Sequence, residues 1–479
     1  MIPDYDIVII GGSVAGRYAA LSATQLKAKV ALIEPIVSDG LIHHHALREI
    51  GELSKSLSNA AQFGIHANSA DTSIDSTRVV QKDSSDESTP PTEKCQVSIE
   101  WQQAKLWATG VVSNLQEQYS PVVLAAKGVD IIFSSGKFQS SPLAFAVNDR
   151  ILNARAYLLA TSVQANPEIE GLQKTGFITL SNIWQSLCSP QPPKSWVIIG
   201  GVPHSIELAQ TLVRLGYNVT LIVDRPLILS HVDPEMAQLL CSQLEAEGVR
   251  VLTQTRVTQV RRIHDKKWLQ VGDKAIETDE IVVAIAQQPN IESLNLAAVG
   301  VKWNQHRLLV NDKLQTSNHR IYACGDIIGG YDCPNIAYYE AKIALQNALL
   351  SPKFKVNYQY VPWAVLTQPT LAHVGLTEVQ AKRRYNHNEV IVLRQFFKTL
   401  AAAQLRDETT GICKLIVLRN GEILGATILG AEARELINTI ALAIAHKIKV
   451  HQLATLSFVS PSFSEILEQT AREFKLPTS

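Results

Sequence analysis

The chain has 479 residues, which is enough for two to four domains with buried cores of their own. Its 44 lysines and arginines equal its 44 aspartates and glutamates, so bulk charge gives no argument for nucleic acid or an anionic membrane as a partner. Its six cysteines show no CxxC spacing, which argues against a zinc site or a disulfide scaffold and suits a reducing compartment.

The N-terminal residues 1–6 lead directly into the first predicted strand. They lack the basic region and the cleavage site of a signal peptide. No uncharged apolar run approaches the ~18 residues that would span a bilayer. We therefore expect a cytoplasmic protein without a transmembrane segment.

The first predicted unit is an apolar, β-branched run that ends at Ile10 and is followed by a glycine turn and a helix. A second apolar run, residues 30–33, ends in the acid Glu34. This order is typical of a dinucleotide-binding βαβ unit. The turn consists of Gly11, Gly12, Ser13, Val14, Ala15 and Gly16.

The residues of this turn suit a phosphate group. Gly11 permits the tight turn, and Gly16 lets the helix lie close to the strand. The helix N-terminus then offers free N–H groups and a partial positive charge to a pyrophosphate. Ser13 replaces the middle glycine, and we expect its small side chain to let a phosphate approach. Glu34 is expected to accept hydrogen bonds from an adenosine ribose.

The chain continues with three consecutive histidines and a helical-looking segment to about Leu57. Residues 69–93 are rich in Ser, Asp, Thr and Pro, and such a segment cannot bury apolar surface, so it is predicted to be a mobile surface insertion. Residues 96–124 are predicted to be mostly helical. Residues 129–133 through 157–161 are predicted to form strands of a small sheet.

Residues 196–224 repeat the strand–turn–helix–strand layout of the opening unit. Val202 and Ser205 occupy the positions of the middle and last glycines. A β-branched side chain at the middle position lies where a pyrophosphate would contact bare backbone. We therefore expect this second turn to bind a nicotinamide cofactor, NAD(P)H, poorly or not at all. Residues 254–283 alternate around turns and predict a meander.

Residues 321–327 predict a short strand that ends in Gly325 and Asp326, followed by a helix over about 335–350. Asp326 either binds the ribityl hydroxyls of a flavin or simply caps a helix. From about residue 358 the pattern changes to strands at 412–418 and 422–428, joined by a hairpin turn, and to amphipathic helices at 431–448 and 464–474. This part predicts a separate interface domain.

Together these segments resemble the pyridine nucleotide-disulfide oxidoreductase family, the group of dihydrolipoamide dehydrogenase, glutathione reductase and mercuric reductase. The resemblance is carried by the first glycine turn with Glu34 and by residues 160–162, 200–207, 284–290, 322–326, 374–378 and 460–465. It implies an α/β fold of two tandem Rossmann-like dinucleotide-binding domains and a C-terminal α+β dimerisation domain. The implied domains are an FAD-binding domain at 1–162 and 285–350, a degenerate NAD(P)-binding-like domain at 163–284, and an interface domain at 351–479 that forms a homodimer.

The resemblance also implies which residues contact FAD. These are Gly11, Gly12, Ser13, Val14, Ala15, Gly16, Glu34, Pro35, Thr161, Ser162, Gly325, Asp326, Cys333 and Pro334. Ser162 replaces a glycine of the family. Pro334 has no backbone N–H to offer where the family usually presents one near the flavin ring. Cys324 and Cys333 either lie near the flavin or pack as small buried residues.

Two catalytic parts of the family are missing. The redox disulfide would lie shortly after Glu34, but no cysteine precedes Cys95, so thiol–disulfide exchange at that position is chemically impossible. The family's base histidine is replaced by Ser460, whose hydroxyl cannot replace an imidazole, although its partner Glu465 remains.

The candidate catalytic residues are therefore His43, His44, His45 and Glu465. The histidines are either proton donors or substrate contacts at the flavin, or ordinary helix-start and solvent residues. No metal site is expected, because adjacent residues have poor chelate geometry and no partner carboxylate is identifiable.

Three functions remain open. The chain is an FAD-dependent oxidoreductase without disulfide chemistry, or an FAD-binding pseudoenzyme that acts as a sensor or binding partner, or an NAD(P)H-dependent reductase of a non-thiol acceptor. An unknown small-molecule or protein redox partner is expected in the first case.

Overall fold

The computed structural model describes residues 3–33, 40–65, 98–164, 167–285, 288–289, 291–330 and 333–475. Glu34, Pro35, Cys95 and the predicted insertion at 69–93 lie outside these residues. Within the described ranges, no helix is both long enough and apolar enough to cross a membrane.

The described residues form strands and helices along the whole chain. The strands are β1 (Tyr5–Ile10), β2 (Val30–Ile33), β3 (Asp130–Ile132), β4 (Gly136–Ser140), β5 (Leu143–Val147), β6 (Arg150–Leu152), β7 (Ala154–Leu159), β8 (Val163–Gln164), β9 (Ser195–Ile199), β10 (Asn218–Ile222), β11 (Arg250–Leu252), β12 (Val257–Ile263), β13 (Lys266–Val271), β14 (Lys274–Thr278), β15 (Glu280–Val283), β16 (Gln288–Pro289), β17 (Ile321–Ala323), β18 (Trp363–Val365), β19 (Thr370–Gly375), β20 (Val390–Phe396), β21 (Ile412–Leu418) and β22 (Ile423–Gly430). The helices are α1 (Val14–Gln25), α2 (Gly40–Asn59), α3 (Trp101–Gln116), α4 (Pro121–Ala126), α5 (Leu172–Thr175), α6 (Ile183–Leu187), α7 (Pro203–Arg214), α8 (Pro234–Ala246), α9 (Pro334–Leu349), α10 (Glu378–Arg384), α11 (Ala401–Arg406), α12 (Ala433–Ala445), α13 (Val450–Leu453) and α14 (Glu465–Arg472).

The first sheet has five parallel strands in the order β17-β7-β1-β2-β3. Its apolar strands are almost fully buried, as a parallel sheet covered by helices requires. Ile9 pairs with Leu32 on one side and with Leu158 on the other. Strands β2 and β3 therefore lie on one side of β1, and strands β7 and β17 lie on the other side. The strand order reverses at β1, and such sheets bind ligands at the carboxyl end of the strands where the order reverses.

Strands β3 and β7 both belong to this parallel sheet. The prediction that residues 129–133 through 157–161 form one small sheet is therefore wrong for these two strands. Only β4, β5 and β6, which lie between them in sequence, form a small antiparallel sheet. Apolar runs of this length predict strands but do not reveal which neighbour each strand pairs with.

The second sheet has four parallel strands in the order β11-β10-β9-β15. Strand β9 holds the central position that β1 holds in the first sheet. The meander predicted over residues 254–283 is confirmed for the antiparallel sheet β12-β13-β14. It is wrong for β15, which pairs in parallel with β9. Two parallel units of the same layout confirm the predicted α/β class.

The C-terminal sheet is antiparallel, with the order β18-β19-β22-β21-β20. The predicted hairpin is confirmed, because β21 pairs with β22 across the turn at Gly421, whose φ of +81° favours glycine. Helices α12 and α14 fall within the predicted amphipathic segments and share one buried core with this sheet.

Helix α2 carries the three histidines and packs along α7 and α3. Gly51 permits this close packing, because a Cβ there would lie 3.0 Å from the Thr211 side chain of α7. One buried core joins Leu47 of α2 to Ile206 of α7, Ile336 of α9 and Val365 of β18. The start of α2 is therefore held where three parts of the chain meet.

Candidate functional site

The first glycine turn follows β1 and opens α1. Gly11 has a φ of +109°, and a Cβ there would overlap the carbonyl oxygen of Ala160. A Cβ on Gly16 would overlap the carbonyl oxygen of Gly11. Both positions therefore require glycine, for the reasons that the sequence predicted.

Ser13 is the N-cap of α1. Its Oγ accepts a hydrogen bond from the Gly16 N–H at 3.4 Å and donates one to the Ala160 carbonyl oxygen at 2.6 Å. The hydroxyl thus ties the helix start to the end of the neighbouring strand. Serine is a favoured N-cap residue, so this departure from the glycine fingerprint has a structural reason.

Two other predicted residues lie at the same edge of the sheet. Thr161 follows β7, and its buried Oγ1 has no hydrogen-bond partner among the described residues. Gly325 follows β17 with a φ of +75°, and a Cβ there would lie 3.3 Å from the Cβ of Ala15 in α1. The structure therefore brings Thr161, Gly325 and the adjoining Asp326 beside the first turn, whereas Ser162 is exposed.

A buried carboxyl group that the sequence did not single out supports this turn. Glu340 on α9 accepts hydrogen bonds from the Gly325 N–H at 2.8 Å and from the Tyr358 hydroxyl at 2.7 Å. Burial raises the pKa of Glu340 to about 7, although both hydrogen bonds favour the ionised form. The only sign of this buried carboxyl group in the sequence was an acid on the otherwise apolar face of α9.

Cys333 and Pro334 lie at the start of α9. Cys333 is the N-cap position and is partly buried against the core that includes Leu47 and Ile336. Pro334 is the first helical residue, where proline is well tolerated because the missing N–H has no partner within the helix. The other two predicted contacts, Glu34 and Pro35, lie outside the described residues.

The second glycine turn follows a similar backbone path to the first turn but carries different side chains. Gly200 has a φ of +132°, and a Cβ there would overlap the Ala284 carbonyl oxygen. Ser205 stands in place of the last glycine, and its buried Oγ lies 2.9 Å from the Gly200 oxygen and 2.6 Å from the Val202 oxygen. Val202 is the N-cap position of α7 but provides no side-chain cap.

A buried cluster lies between α2 and α7. His44 Nε2 is 2.8 Å from Glu207 Oε2, and His204 Nδ1 is 3.3 Å from the same oxygen. The three side chains, here named the histidine–glutamate cluster, are 0%, 6% and 1% exposed for His44, His204 and Glu207. The second oxygen, Glu207 Oε1, accepts a hydrogen bond from the Leu366 N–H at 2.7 Å.

The electrostatics favour an ionised Glu207 and neutral rings for His44 and for His45 beside it. Burial alone would raise the pKa of Glu207, but hydrogen bonds from His204 and His44 outweigh it and hold that pKa well below its ordinary value. Burial lowers the pKa of His44, and it lowers the pKa of His45 to about 4. The buried Nδ1 atoms of His44 and His45 have no hydrogen-bond partner among the described residues.

The three predicted histidines separate in the structure. His44 and His45 lie close to His204, with ring centroids 5.5 Å and 6.3 Å from it. The His43 carbonyl oxygen accepts a hydrogen bond from the Trp184 indole at 3.1 Å.

The expectation that no carboxylate partners these histidines is wrong, because Glu207 comes from another helix. Its place in a helix between two apolar residues, Ile206 and Leu208, was the only sequence signal for its burial.

Helix α7 continues the cluster as a polar stripe. Glu207, Gln210 and Arg214 lie at i, i+3 and i+7, on one face of the helix. Gln210 exchanges two hydrogen bonds with the backbone of Gln368, and Arg214 donates to the side chain and carbonyl oxygen of Gln368. The stripe therefore fastens α7 to the segment between β18 and β19.

Glu465 does not join either site. Its Oε2 accepts a hydrogen bond from the Ser462 N–H at 2.9 Å, so it closes the first turn of α14. Ser460 is exposed. In the structure, the catalytic candidate Glu465 therefore makes a local contact at the start of α14.

The described cysteines are all free thiols: Cys188, Cys241, Cys324, Cys333 and Cys413. Burial raises the pKa of Cys324 well above its ordinary value and that of Cys413 to about 12. Neither of these two is therefore a reactive thiolate at neutral pH.

Comparison with known families gives matches over most of the chain. The family model described as pyridine nucleotide-disulphide oxidoreductase matches residues 5–347. The model described as the dimerisation domain of that family matches residues 361–471.

Curated relatives match over nearly the full chain. Mercuric reductase from Staphylococcus aureus is 28% identical over an alignment 463 residues long, which covers 94% of this chain and 79% of that protein. Dihydrolipoyl dehydrogenase from Synechocystis is 29% identical over an alignment 498 residues long, gaps included, which covers 97% of this chain and 98% of that protein.

Solved structures share the fold. LpdA from Mycobacterium tuberculosis superposes with a TM-score of 0.83 at 21% identity, covering 98% of this chain and 99% of that one. The HOCl-induced flavoprotein disulfide reductase RclA from Escherichia coli gives a TM-score of 0.79 at 21% identity, covering 98% and 100%.

Proposed function

Because the chain belongs to the pyridine nucleotide-disulphide oxidoreductase family, we propose that it is an FAD-binding oxidoreductase that transfers electrons without a redox disulfide on α2. One observation carries the proposal. The first glycine turn keeps the bare backbone that a dinucleotide needs, whereas α2 begins with three histidines and the chain has no cysteine before Cys95.

The residues at the first turn fit FAD. Glycines leave the backbone of the turn uncovered, and the start of α1 offers N–H groups and a partial positive charge to a pyrophosphate. The buried, unpartnered Oγ1 of Thr161 at the same edge is a polar atom that a ligand would satisfy. When bound, FAD supplies a flavin that accepts and returns electrons.

The protein's own residues then hold that cofactor. Gly11, Ser13 and the first turn of α1 bind the pyrophosphate, Asp326 accepts hydrogen bonds from the ribityl hydroxyls, and Glu34 accepts them from the adenosine ribose. Glu340 keeps the Gly325 turn in place through the Gly325 N–H. The positions of Gly11, Ser13 and Asp326 at the carboxyl edge of the first sheet support their roles, and the role of Glu34 rests on the sequence resemblance alone.

The chemistry differs from thiol exchange because of the residues on α2. The relatives are named mercuric reductase and dihydrolipoyl dehydrogenase, but here imidazoles replace sulfur near the start of α2. Burial lowers the pKa values of His44 and His45, so their rings are neutral. Such a ring accepts a proton only from an acid stronger than its own imidazolium form, and returns that proton to a base stronger than the imidazole. A flavin held there would exchange electrons directly with an external donor and acceptor.

The second glycine turn bears on whether NAD(P)H is the electron donor. Val202 and Ser205 replace two glycines, and the Ser205 hydroxyl is already engaged with backbone oxygens of the turn. We infer that NAD(P)H binds weakly there. The dimerisation segment supports a homodimer, with a redox partner that is a small molecule or a protein.

An anaerobic dithionite titration of the purified protein tests the proposal. We expect bound FAD to take up about two electrons, because a redox disulfide beside the flavin would add a second two-electron couple. A Cys95→Ser variant is the matched control and should give the same stoichiometry. Colourless protein that refuses added FAD, or uptake of four electrons that falls to two in Cys95→Ser, would overturn the proposal.

A second candidate function is a pseudoenzyme that keeps FAD as a structural ligand. The altered second turn favours it, because Val202 and Ser205 replace two of the glycines of a conventional donor site. Mixing the protein anaerobically with NADH or NADPH separates the candidates. Bleaching faster than free FAD supports a reductase, and bound FAD that no donor or acceptor turns over supports the pseudoenzyme.

A further inference from the structure

The histidine–glutamate cluster offers a set of metal ligands, and of its three residues only His44 has a part in the proposed function. His44, His204 and Glu207 each present one ligand atom, and these atoms lie within 4.8 Å of one another. Two imidazole nitrogens and one carboxylate oxygen form a ligand set for zinc and for other divalent transition metals. The set comes from two helices, α2 and α7, that a shared core holds in contact.

The distances are close to those of a coordinated cation. Two ligands about 2.0–2.1 Å from a tetrahedral zinc ion lie about 3.3 Å apart. His204 Nδ1 and Glu207 Oε2 are 3.3 Å apart, which matches this spacing. His44 Nε2 is 2.8 Å from the same oxygen, so this pair must open by about half an ångström. A side-chain rotation supplies such a change.

The surroundings support coordination as well. Metal-bound carboxylates are usually fixed by a hydrogen bond on the other oxygen, and Glu207 Oε1 has one from the Leu366 N–H. Arg48 lies one helical turn after His44 on α2, and Glu49 and Glu52 pair with it. The repulsion that Arg48 would exert on a bound cation is therefore largely offset.

His45 lies beside the cluster but is not one of its three ligands. The buried Nδ1 of His45 has no hydrogen-bond partner among the described residues, and the His45 ring centroid lies 5.7 Å from that of His44. A water molecule would complete a tetrahedral site as the fourth ligand.

We propose that the histidine–glutamate cluster binds one divalent cation of the zinc class per chain, with His44, His204 and Glu207 as ligands. This inference goes beyond the proposed function. It does not rest on that function, because none of the three ligands belongs to the predicted FAD contacts, although His44 is also one of the two imidazoles named there for proton exchange. The cation joins α2 to α7, and so fastens the first glycine-turn unit to the second.

Calorimetric titration with ZnCl₂ of the full-length protein, after treatment with EDTA, tests the site. We expect one zinc ion per chain and at least a hundredfold weaker binding in His204→Ala and Glu207→Gln. His306→Ala removes an exposed histidine far from the cluster in sequence and should bind zinc as the wild type does. Binding that all variants retain equally, or wild-type protein that binds no zinc, would overturn the proposal.

X-ray absorption of the zinc-loaded wild type keeps the test decisive if a variant fails to fold. Only nitrogen and oxygen neighbours at about 2.0 Å are expected, and a sulfur neighbour at about 2.3 Å would overturn the assignment by placing the ion on cysteine. FAD content is measured on the same samples. Zinc without FAD contradicts only the proposed function, and FAD without zinc contradicts only the cation site.

Discussion

The two glycine turns share one backbone path and differ in what surrounds the helix that each turn opens. In both, a glycine with positive φ packs against the carbonyl oxygen that follows a neighbouring strand, Ala160 for Gly11 and Ala284 for Gly200. In the first turn the next helix is capped by Ser13 and packs through small residues. In the second turn, Ser205 replaces the last glycine, and its hydroxyl contacts backbone oxygens of the same turn.

The helices show what this difference permits. The buried face of α1 consists of alanines and a glycine, which brings α1 close to the sheet and to α9. The buried residues of α7 include His204, Glu207 and Gln210. Glu207 contacts His44 of α2 and His204 of its own helix, and Gln210 bonds to the segment before β19. The same local fold thus serves a ligand edge in one unit and contacts between units in the other.

Replacing Glu207 by alanine should have the largest effect. The substitution leaves His44, His204 and the Leu366 N–H without their shared acceptor in a buried place. We expect the free energy of unfolding to fall by about 3–5 kcal/mol, the usual cost of breaking a buried charged contact. Urea unfolding followed by circular dichroism measures it.

The matched control for this substitution is Glu245→Ala on α8, where the side chain is exposed. Its effect should stay within about 0.5 kcal/mol, as for most surface changes. A loss below about 1 kcal/mol for Glu207→Ala would mean that the second turn does not hold the units together.

Substituting Ser13 by aspartate tests the ligand role of the first turn. Aspartate caps a helix as well as serine does, so the fold should persist. Its negative charge opposes a pyrophosphate, and we expect FAD affinity to fall about a hundredfold, which corresponds to about 2.7 kcal/mol. Fluorescence titration of the flavin measures the dissociation constant.

Gln25→Glu places a negative charge at the exposed far end of the same helix and is the control for Ser13→Asp. It should leave FAD affinity unchanged. Equal affinity in Ser13→Asp and the wild type would remove the first turn from the binding site.

Acid should weaken the protein through His45. Its folded pKa is lowered to about 4 by burial, while the unfolded chain takes up this proton near its ordinary pKa of 6.5. The stability that His45 contributes is therefore complete above about pH 6.5 and is lost as the pH falls toward 4, with a slope of up to about 1.4 kcal/mol per pH unit. Glu207 opposes the lowered pKa, and His44, His204 and Arg48 contribute to it.

Urea unfolding at pH 7 and pH 5.5 measures this dependence. His45→Gln should make it shallower, whereas His446→Gln, which changes an exposed histidine, should not. Identical slopes in the wild type and His45→Gln would show that the His45 ring is not held neutral by the fold.

Val202→Gly should have the smallest effect. Glycine at the N-cap of α7 uncovers the backbone of the second turn at little cost to the helix. NADH affinity should rise three- to tenfold, about 1 kcal/mol, measured by fluorescence titration. Val219→Ala within β10 is the control. If NADH affinity rose in that variant too, the gain in Val202→Gly could not be assigned to the turn.

The sequence by itself determined the class of fold and the first turn. Apolar runs followed by glycines at fixed spacing predict parallel strands and helix starts, because only glycine fits where Gly11 and Gly16 meet neighbouring backbone. The C-terminal hairpin was equally local, since its turn is encoded beside the strands that it joins. The missing cysteines on α2 were also visible in the sequence alone.

Only the tertiary structure decided strand neighbours and the histidine–glutamate cluster. β3 and β7 joined the main sheet because pairing depends on where the chain returns, which periodicity does not record. Glu207 lies 163 residues from His44 in the chain, and the acid acquires its role only when α7 packs on α2. Local chemistry fixes what a residue can bind, whereas packing of distant helices fixes which partners it meets.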